Sequence, residues 1–379
     1  MHHHLALLGW DDAWASSLDD LPGVDHLPGV DDPVDAGVRA DPVPHAARRV
    51  GRVCRADTTS CDVLVPAGPD LRAVTAAWGP GLRRAHRQDP ARAPVTGDWV
   101  LLDDGEPPAV EAVLPRRSTI RRAQTDGSSR AQVLAANADV VAVVEGLAPD
   151  PDPGRVERLL ALAWASGATP VVVLTKADLV PDAAARAAQV ADLAPGADVL
   201  TTAAPEGLGL DPLRRLLAAG ATVALLGASG VGKSTLLNAL VGDAVMRTRG
   251  LRTDGKGRHT TVTRELHLCP GGGAVLDTPG MRTIGLAGED GLAAAFADVD
   301  DLAAACRFAD CGHESEPGCA VLAAVAAGDL TERRLASWRK LAREAQHQAA
   351  RTDARLRSEL TQVWKQRQKD YRRRPNRKV

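Results

Sequence analysis

The stretch "GASGVGKST" at residues 227–235 is entered from the apolar run "TVALL" and leaves into "TLLNALV", so it joins a buried strand to a helix. It satisfies G-x-x-x-x-G-K-[ST], the pattern of a loop that wraps phosphate. Gly227, Gly230 and Gly232 let the backbone curl between Ala228, Ser229 and Val231, so that its N–H groups face an anion at the positive end of the following helix. Lys233 is placed to reach the outer phosphates, and Ser234, followed by Thr235, to bind Mg²⁺. A chance Gly-rich turn lacks both flanks.

A second stretch, "TKAD" at residues 175–178, ends the apolar strand "TPVVVL". A carboxylate there accepts from the two edge donors that separate guanine from adenine, which is the role expected of Asp178. Lys176 would cover the ring with its stem, and Ala177 lies between them. The usual guanine motif begins with Asn, whereas this one begins with Thr175. "TTAA", residues 201–204, is expected to close the base pocket with a backbone N–H. On its own "TKAD" is weak, but beside a phosphate loop it favours GTP over ATP.

Downstream, "DTPG" at residues 277–280 follows another apolar strand. Asp277 suits a carboxylate that holds Mg²⁺ through water, and Gly280 suits the sensor of the γ-phosphate. Between them and the phosphate loop lies "GLRTDGKGRHTTVTREL", a polar segment in which Thr260 or Thr261 could close on Mg²⁺. The order is therefore guanine, phosphate, switch: a circular rearrangement of the ordinary GTPase, with each motif still expected at one edge of the sheet.

Outward from these motifs, residues 116–290 alternate continuous apolar strands with amphipathic helices, which means a mostly parallel sheet covered on both faces. Residues 46–115 instead carry five short β-branched runs broken by Gly and Pro. They suit a small barrel, of which the OB type is one form. Residues 1–45 hold nine Asp against Arg39 alone and are expected to form a flexible acidic arm. From residue 291 to 379 the chain turns helical, and residues 332–379 carry sixteen Lys or Arg against five Asp or Glu. Such a tail suits a polyanion such as RNA, although a solvated charged helix gives the same composition. No apolar run approaches the roughly 20 residues of a membrane span, and the start lacks a secretory signal, so a cytoplasmic protein is expected.

Cys306, Cys311, His313 and Cys319 form C-x4-C-x-H-x5-C. Zn²⁺ takes four such N and S ligands tetrahedrally, and filling all four leaves no open position, so a structural zinc is expected. Cys54, Cys61 and Cys269 are scattered and read as small apolar fillers.

With "LGWDDAW", "VTGDWV", "RAQVLAANADVVAVVEG", "TKADL", "GASGVGKSTLLNAL", "GKGRHTTVTREL", "LDTPGMR" and "CRFADCGHESEPGCAV", the chain closely resembles the ribosome small-subunit-dependent GTPase A (RsgA) family over nearly its whole length. The resemblance implies an N-terminal small β-barrel of OB type, a central α/β P-loop GTPase domain that is circularly permuted, and a C-terminal helical zinc-binding domain. It also implies GTP and GDP as ligands and the small ribosomal subunit with its rRNA as partner. A monomer acting in late maturation, with hydrolysis stimulated by the subunit, is expected. Met281 stands where Ras-like enzymes carry the Gln that positions water, and the family's "GRHTT" segment points to His259 for that task. Arg116, Arg117, Arg121 and Arg122, the barrel face, and Arg372, Arg373 and Arg374 are candidate RNA contacts. Competing readings are a P-loop ATPase or kinase acting on a small molecule, and a zinc-and-OB RNA-binding module with a decayed nucleotide site.

Overall fold

The computed structural model describes residues 5–19, 48–68, 70–123, 131–242, 264–278, 291–352 and 358. His259, Thr260, Thr261, Gly280 and Arg372 to Arg374 lie outside them, as does most of the acidic arm.

Strands β1 (Arg49–Ala56), β2 (Ser60–Ala67), β3 (Asp70–Trp78), β4 (Trp99–Leu102) and β5 (Ala109–Val113) close a barrel in the order β1-β2-β3-β5-β4. Only β3 and β5 pair in parallel, and helix α2 (Pro80–Gln88) bridges β3 to β4. This is the OB arrangement. Inward residues such as Val53, Val63, Val65, Trp78, Val100 and Val110 fill the barrel.

The central sheet has the order β10-β9-β8-β11-β13-β12, built from β8 (Val140–Gly146), β9 (Thr169–Thr175), β10 (Asp198–Thr201), β11 (Thr222–Leu226), β12 (Glu265–Leu268) and β13 (Ala274–Asp277). All pairs are parallel except β12 with β13. Successive side chains of a strand point to opposite faces, and the consequence is visible along β8. Val141 and Val143 enter one core with helix α3 (Pro153–Ala165), while Val140, Ala142 and Val144 enter a second core with helices α5 (Asp211–Ala218) and α6 (Lys233–Val241). A strand buried on both faces needs an unbroken apolar run, and β8, β9 and β11 have one. Helix α4 (Ala183–Ala191) links β9 to β10.

Two parts of the chain differ from expectation. The basic stretch that carries Arg116, Arg117, Arg121 and Arg122 runs into a separate two-stranded antiparallel pair, β6 (Thr119–Ala123) with β7 (Ala131–Ala136), rather than into the parallel sheet. The first part of the supposed flexible arm is packed: Leu5, Leu8, Trp10 and Trp14 are buried, the last at the start of helix α1 (Asp12–Asp19). The rings of Trp10 and Trp99 meet edge to face at 4.8 Å, and Arg117 lies 4.0 Å above Trp14 while gripping Asp11 through two bonds of 2.6 Å. Acidic composition hid this because four large indole and aliphatic groups supply more burial than the flanking Asp residues cost. No helix among the described residues is long and apolar enough to cross a membrane.

The carboxyl-terminal part comprises helices α7 (Leu292–Ala295), α8 (Ala297–Ala303), α9 (Ala320–Ala327) and α10 (Glu332–Thr352). They pack onto α3 through an ionic cluster. Glu157 of α3 has no exposed side-chain surface and accepts from Arg333 at 3.0 and 3.1 Å, from Arg334 at 2.8 Å and from the Ser337 hydroxyl. The next residue of α3, Arg158, grips Glu344 at 2.6 and 2.7 Å.

Candidate nucleotide site and metal centre

The chain runs from β8 outward to β10, then returns to β11 beside β8 before crossing to β13. That reversal opens a crevice at the carboxyl ends of β8 and β11, the place where α/β sheets bind ligands. The loop at residues 227–232 fills this position. It begins as β11 ends and finishes at Gly232, the N-cap of α6. Gly232 has φ 104°, and a Cβ there would stand 2.8 Å from the Thr175 hydroxyl. At Gly227 a Cβ would lie 2.3 Å from the Val144 carbonyl oxygen. Both positions therefore require glycine, one for backbone conformation and both for space.

Lys233 is almost wholly buried, and its Nζ donates to the Gly227 and Ala228 carbonyls at 2.8 and 2.7 Å. Burial lowers its pKa, opposed by the negative charges of Asp277 and Glu145. Ser234 and Thr235 are exposed in the first turn of α6. Asp277 ends β13, half-buried; burial raises its pKa, and Lys233 then His267 pull it back. Thr278 donates to the Leu225 carbonyl at 2.5 Å, which ties the segment after β13 to β11.

The guanine segment follows β9, one strand beyond β8. Lys176 adopts the left-handed conformation at φ 62° and donates to the Ala148 carbonyl at 3.0 Å. Ala177 donates its N–H to Thr202 at 3.1 Å, and Asp178 is exposed in the short 3-10 turn Ala177–Leu179. In "TTAA" the Thr202 N–H is taken by Leu174 and the Ala203 N–H by Leu208. The missing Asn leaves no gap in bracing: Thr175 donates its hydroxyl to the Val231 carbonyl of the phosphate loop and approaches the Glu145 carbonyl at 3.3 Å. Thr175, Lys176, Ala177, Asp178, Gly227 to Thr235 and Asp277 are thus gathered at one edge of the sheet.

Sequence reasoning passed over Glu145. It is the penultimate residue of β8 and buried, held by Arg155 at 2.6 and 2.7 Å, and it contributes to the field at Lys233. An acid closing an otherwise apolar strand was the available signal.

The thiols of Cys306, Cys311 and Cys319 and the His313 ring nitrogen lie within 4.8 Å of one another. Cys306 is 3.9 Å from Cys319 and 3.6 Å from His313, which is 3.4 Å from Cys319. Tetrahedral zinc with Zn–S near 2.3 Å sets ligand atoms roughly 3.8 Å apart, so the donor set and spacing fit. Glu316 organises the loop by accepting the N–H groups of Gly312, Glu314 and Ser315 at 2.8–2.9 Å. Those backbone bonds, Ser315 first, hold its carboxyl down to about 2. Arg339 of α10 donates to the His313 carbonyl, and the Trp338 ring lies 5.2 Å from the His313 ring. The other three thiols are pushed up to about 12, chiefly by burial, as suits inert packing groups.

A family model described as RsgA GTPase matches residues 113–287. A curated relative from Streptomyces avermitilis, named small ribosomal subunit biogenesis GTPase RsgA, is 53% identical over 321 residues, covering 83% of this chain and 84% of the relative. One of the same name from Streptomyces coelicolor is 47% identical over 375 residues, covering 97% and 93%. Among solved structures, YjeQ from Thermotoga maritima aligns with a TM-score of 0.57 at 26% identity over 78% of this chain and 97% of that one. YloQ, described as a circularly permuted GTPase, aligns with a TM-score of 0.55 at 25% identity over 81% and 98%.

Proposed function

The chain belongs to the RsgA GTPase family, and from that premise we propose that it hydrolyses GTP while bound to the small ribosomal subunit, in the late maturation of that particle. The observation that carries this reading is the convergence at one crevice of a phosphate loop, a guanine-type loop and an acidic strand end. In this reading the N–H groups of residues 227–235 and the Lys233 ammonium hold the phosphates. Asp178 accepts from the guanine edge, and the stem of Lys176 covers the base. Ser234 and Asp277 would hold Mg²⁺, whose charge would offset that developing on the phosphates.

Phosphoryl transfer asks little covalent chemistry of a protein; it asks for position and field. Lys233 is already desolvated, so its charge acts on phosphate with little screening. Replacement of its two loop carbonyls by phosphate oxygens turns a bond that braces the loop into one that binds ligand. We assign Thr260 or Thr261 to closure on Mg²⁺, Gly280 to sensing of the γ-phosphate, and His259 to positioning the attacking water, on the strength of their sequence context. The family assignment and the intact set Lys233, Ser234, Asp277 and Asp178 speak against a decayed site or a small-molecule kinase.

We further assign one structural Zn²⁺ to Cys306, Cys311, His313 and Cys319. The chain is taken to act as a cytoplasmic monomer. Turnover of GTP and of ATP, each measured with and without small subunits, tests the whole reading. GTP hydrolysis that is slow alone and rises strongly with subunits is expected. Equal turnover of both nucleotides, or full speed in isolation, would refute it.

A further inference from the structure

The four arginines named from sequence as RNA contacts do not all remain free. Arg116 is nearly enclosed, bonded to Asp98 at 2.7 and 2.8 Å and to the Ala91 and Ala93 carbonyls. Arg117 is spent on Asp11 and Trp14. A cationic surface does persist nearby, on α2. That helix reads "PGLRRAHRQ" and carries no acid in nine residues. Its inward stripe is Leu82, which is buried, with His86, whose ring meets Trp78 edge to face at 5.1 Å. The 3.6-residue period then forces Arg83, Arg84 and Arg87 outward, and all three are exposed. Among the described residues no carboxylate pairs with them.

On the other side of α2 runs a groove of about 710 Å³, walled by Gly81, Leu82 and Ala85 of this helix with β5 and β6 and lined in part by Arg92 and Arg121; Arg83, Arg84 and Arg87 do not line it. Its acids are already engaged: Glu111 pairs with Arg48 at 2.9 Å, and Asp89 caps the turn Pro90–Arg92 and lies 4.0 Å from Arg92. The large exposed apolar side chains among the described residues, Leu7, Leu179, Leu208 and Phe308, all lie off this helix. A face with charge and no apolar wedge suits neither lipid insertion nor an apolar protein groove. Arginine forks, by contrast, match phosphate oxygens two at a time.

We infer that the solvent face of α2 of the barrel grips the phosphodiester backbone of the small-subunit rRNA through Arg83, Arg84 and Arg87. The inference rests on the ribosomal reading above and adds the face and the residues.

The test uses the full chain with Arg83→Gln, Arg84→Gln and Arg87→Gln combined; glutamine keeps helix propensity. Binding to small subunits and to protein-free small-subunit rRNA is followed against salt. Each lost phosphate contact removes about 0.7–0.9 from the slope of log K against log salt, so the slope should fall by roughly 2–3 for both partners. The corresponding triple Lys variant should retain most of the slope, and GDP binding should not change in either. An unchanged slope in the Gln variant while the native chain binds steeply overturns this assignment alone. A slope lost with subunits but kept with bare rRNA also overturns it, because the occupant is then a ribosomal protein. A native chain that binds no subunits sinks the ribosomal reading together with this one.

Discussion

Glu157→Ala should loosen the carboxyl-terminal helices from the nucleotide domain. Glu157 has no exposed side-chain surface and Arg334 has 3%, while Arg333 is 44% exposed. Removing one member of a buried ion pair costs about 3–5 kcal/mol, because the other charge is left desolvated. The solvated Arg333 contact adds little to that sum. Arg334 also keeps Asp298 at 2.8 and 3.0 Å, the Ala295 carbonyl at 2.9 Å and its place 4.1 Å over the Phe296 ring. The cost therefore falls at the lower end, about 3 kcal/mol. Hydrogen exchange of α10 amides, which reports local opening, should accelerate roughly 150-fold at that cost, whereas the amides of β8 and β11 should keep their protection. Glu157→Gln, which retains shape and one acceptor, should produce a smaller effect. A double-mutant cycle with Arg334 should show strong coupling. An Ala variant whose α10 exchange changes less than about threefold would refute the claim that this carboxylate docks the helix.

Three further outcomes are expected. Thr175→Val removes the hydroxyl that joins the phosphate loop to the guanine loop and leaves the Val231 carbonyl without its donor; at about 1–2 kcal/mol, GDP affinity should fall roughly tenfold by calorimetry, and an unchanged Kd would exclude a bracing role. Chelation of zinc should change Trp338 emission and loosen α9 and α10 at a lower temperature than the nucleotide domain; simultaneous unfolding of both would contradict a local clasp. Asp277 must be ionised to hold Mg²⁺, and burial sets its pKa above the ordinary 3.8. Protons thus compete at a higher pH than for an exposed Asp, so Mg²⁺-dependent GTP affinity should weaken as pH falls through that raised value, and Asp277→Asn should be flat across the same range.

Local pattern carried much of the fold. The phosphate loop was legible because its glycines, its lysine and both flanks are contiguous, and contiguous residues suffice to build a strand, a loop and a helix start. The five barrel strands and the two-faced central strands were legible for the same reason, since period and apolar run length express burial directly. The packed start of the chain was not legible. Trp10 and Trp14 find their partner at Trp99, some ninety residues away in "VTGDWVLL", Leu5 and Leu8 join the same core, and nothing near them in sequence announces that packing.

The amino-acid sequence by itself determined which residues carry the phosphate-loop, guanine-type and zinc-donor patterns, and in what order they are strung. Spacing alone decides whether a lysine follows a glycine turn or four zinc donors fall within fourteen residues. Only the tertiary structure decided how charges are shared out. Arg116, Arg117, Arg333 and Arg334 look in sequence much like Arg83 and Arg87, yet the first four neutralise carboxylates and the last two face solvent. The physical reason is that an ion pair is set by distance in space and by exclusion of water, and neither quantity is written in the local order of residues.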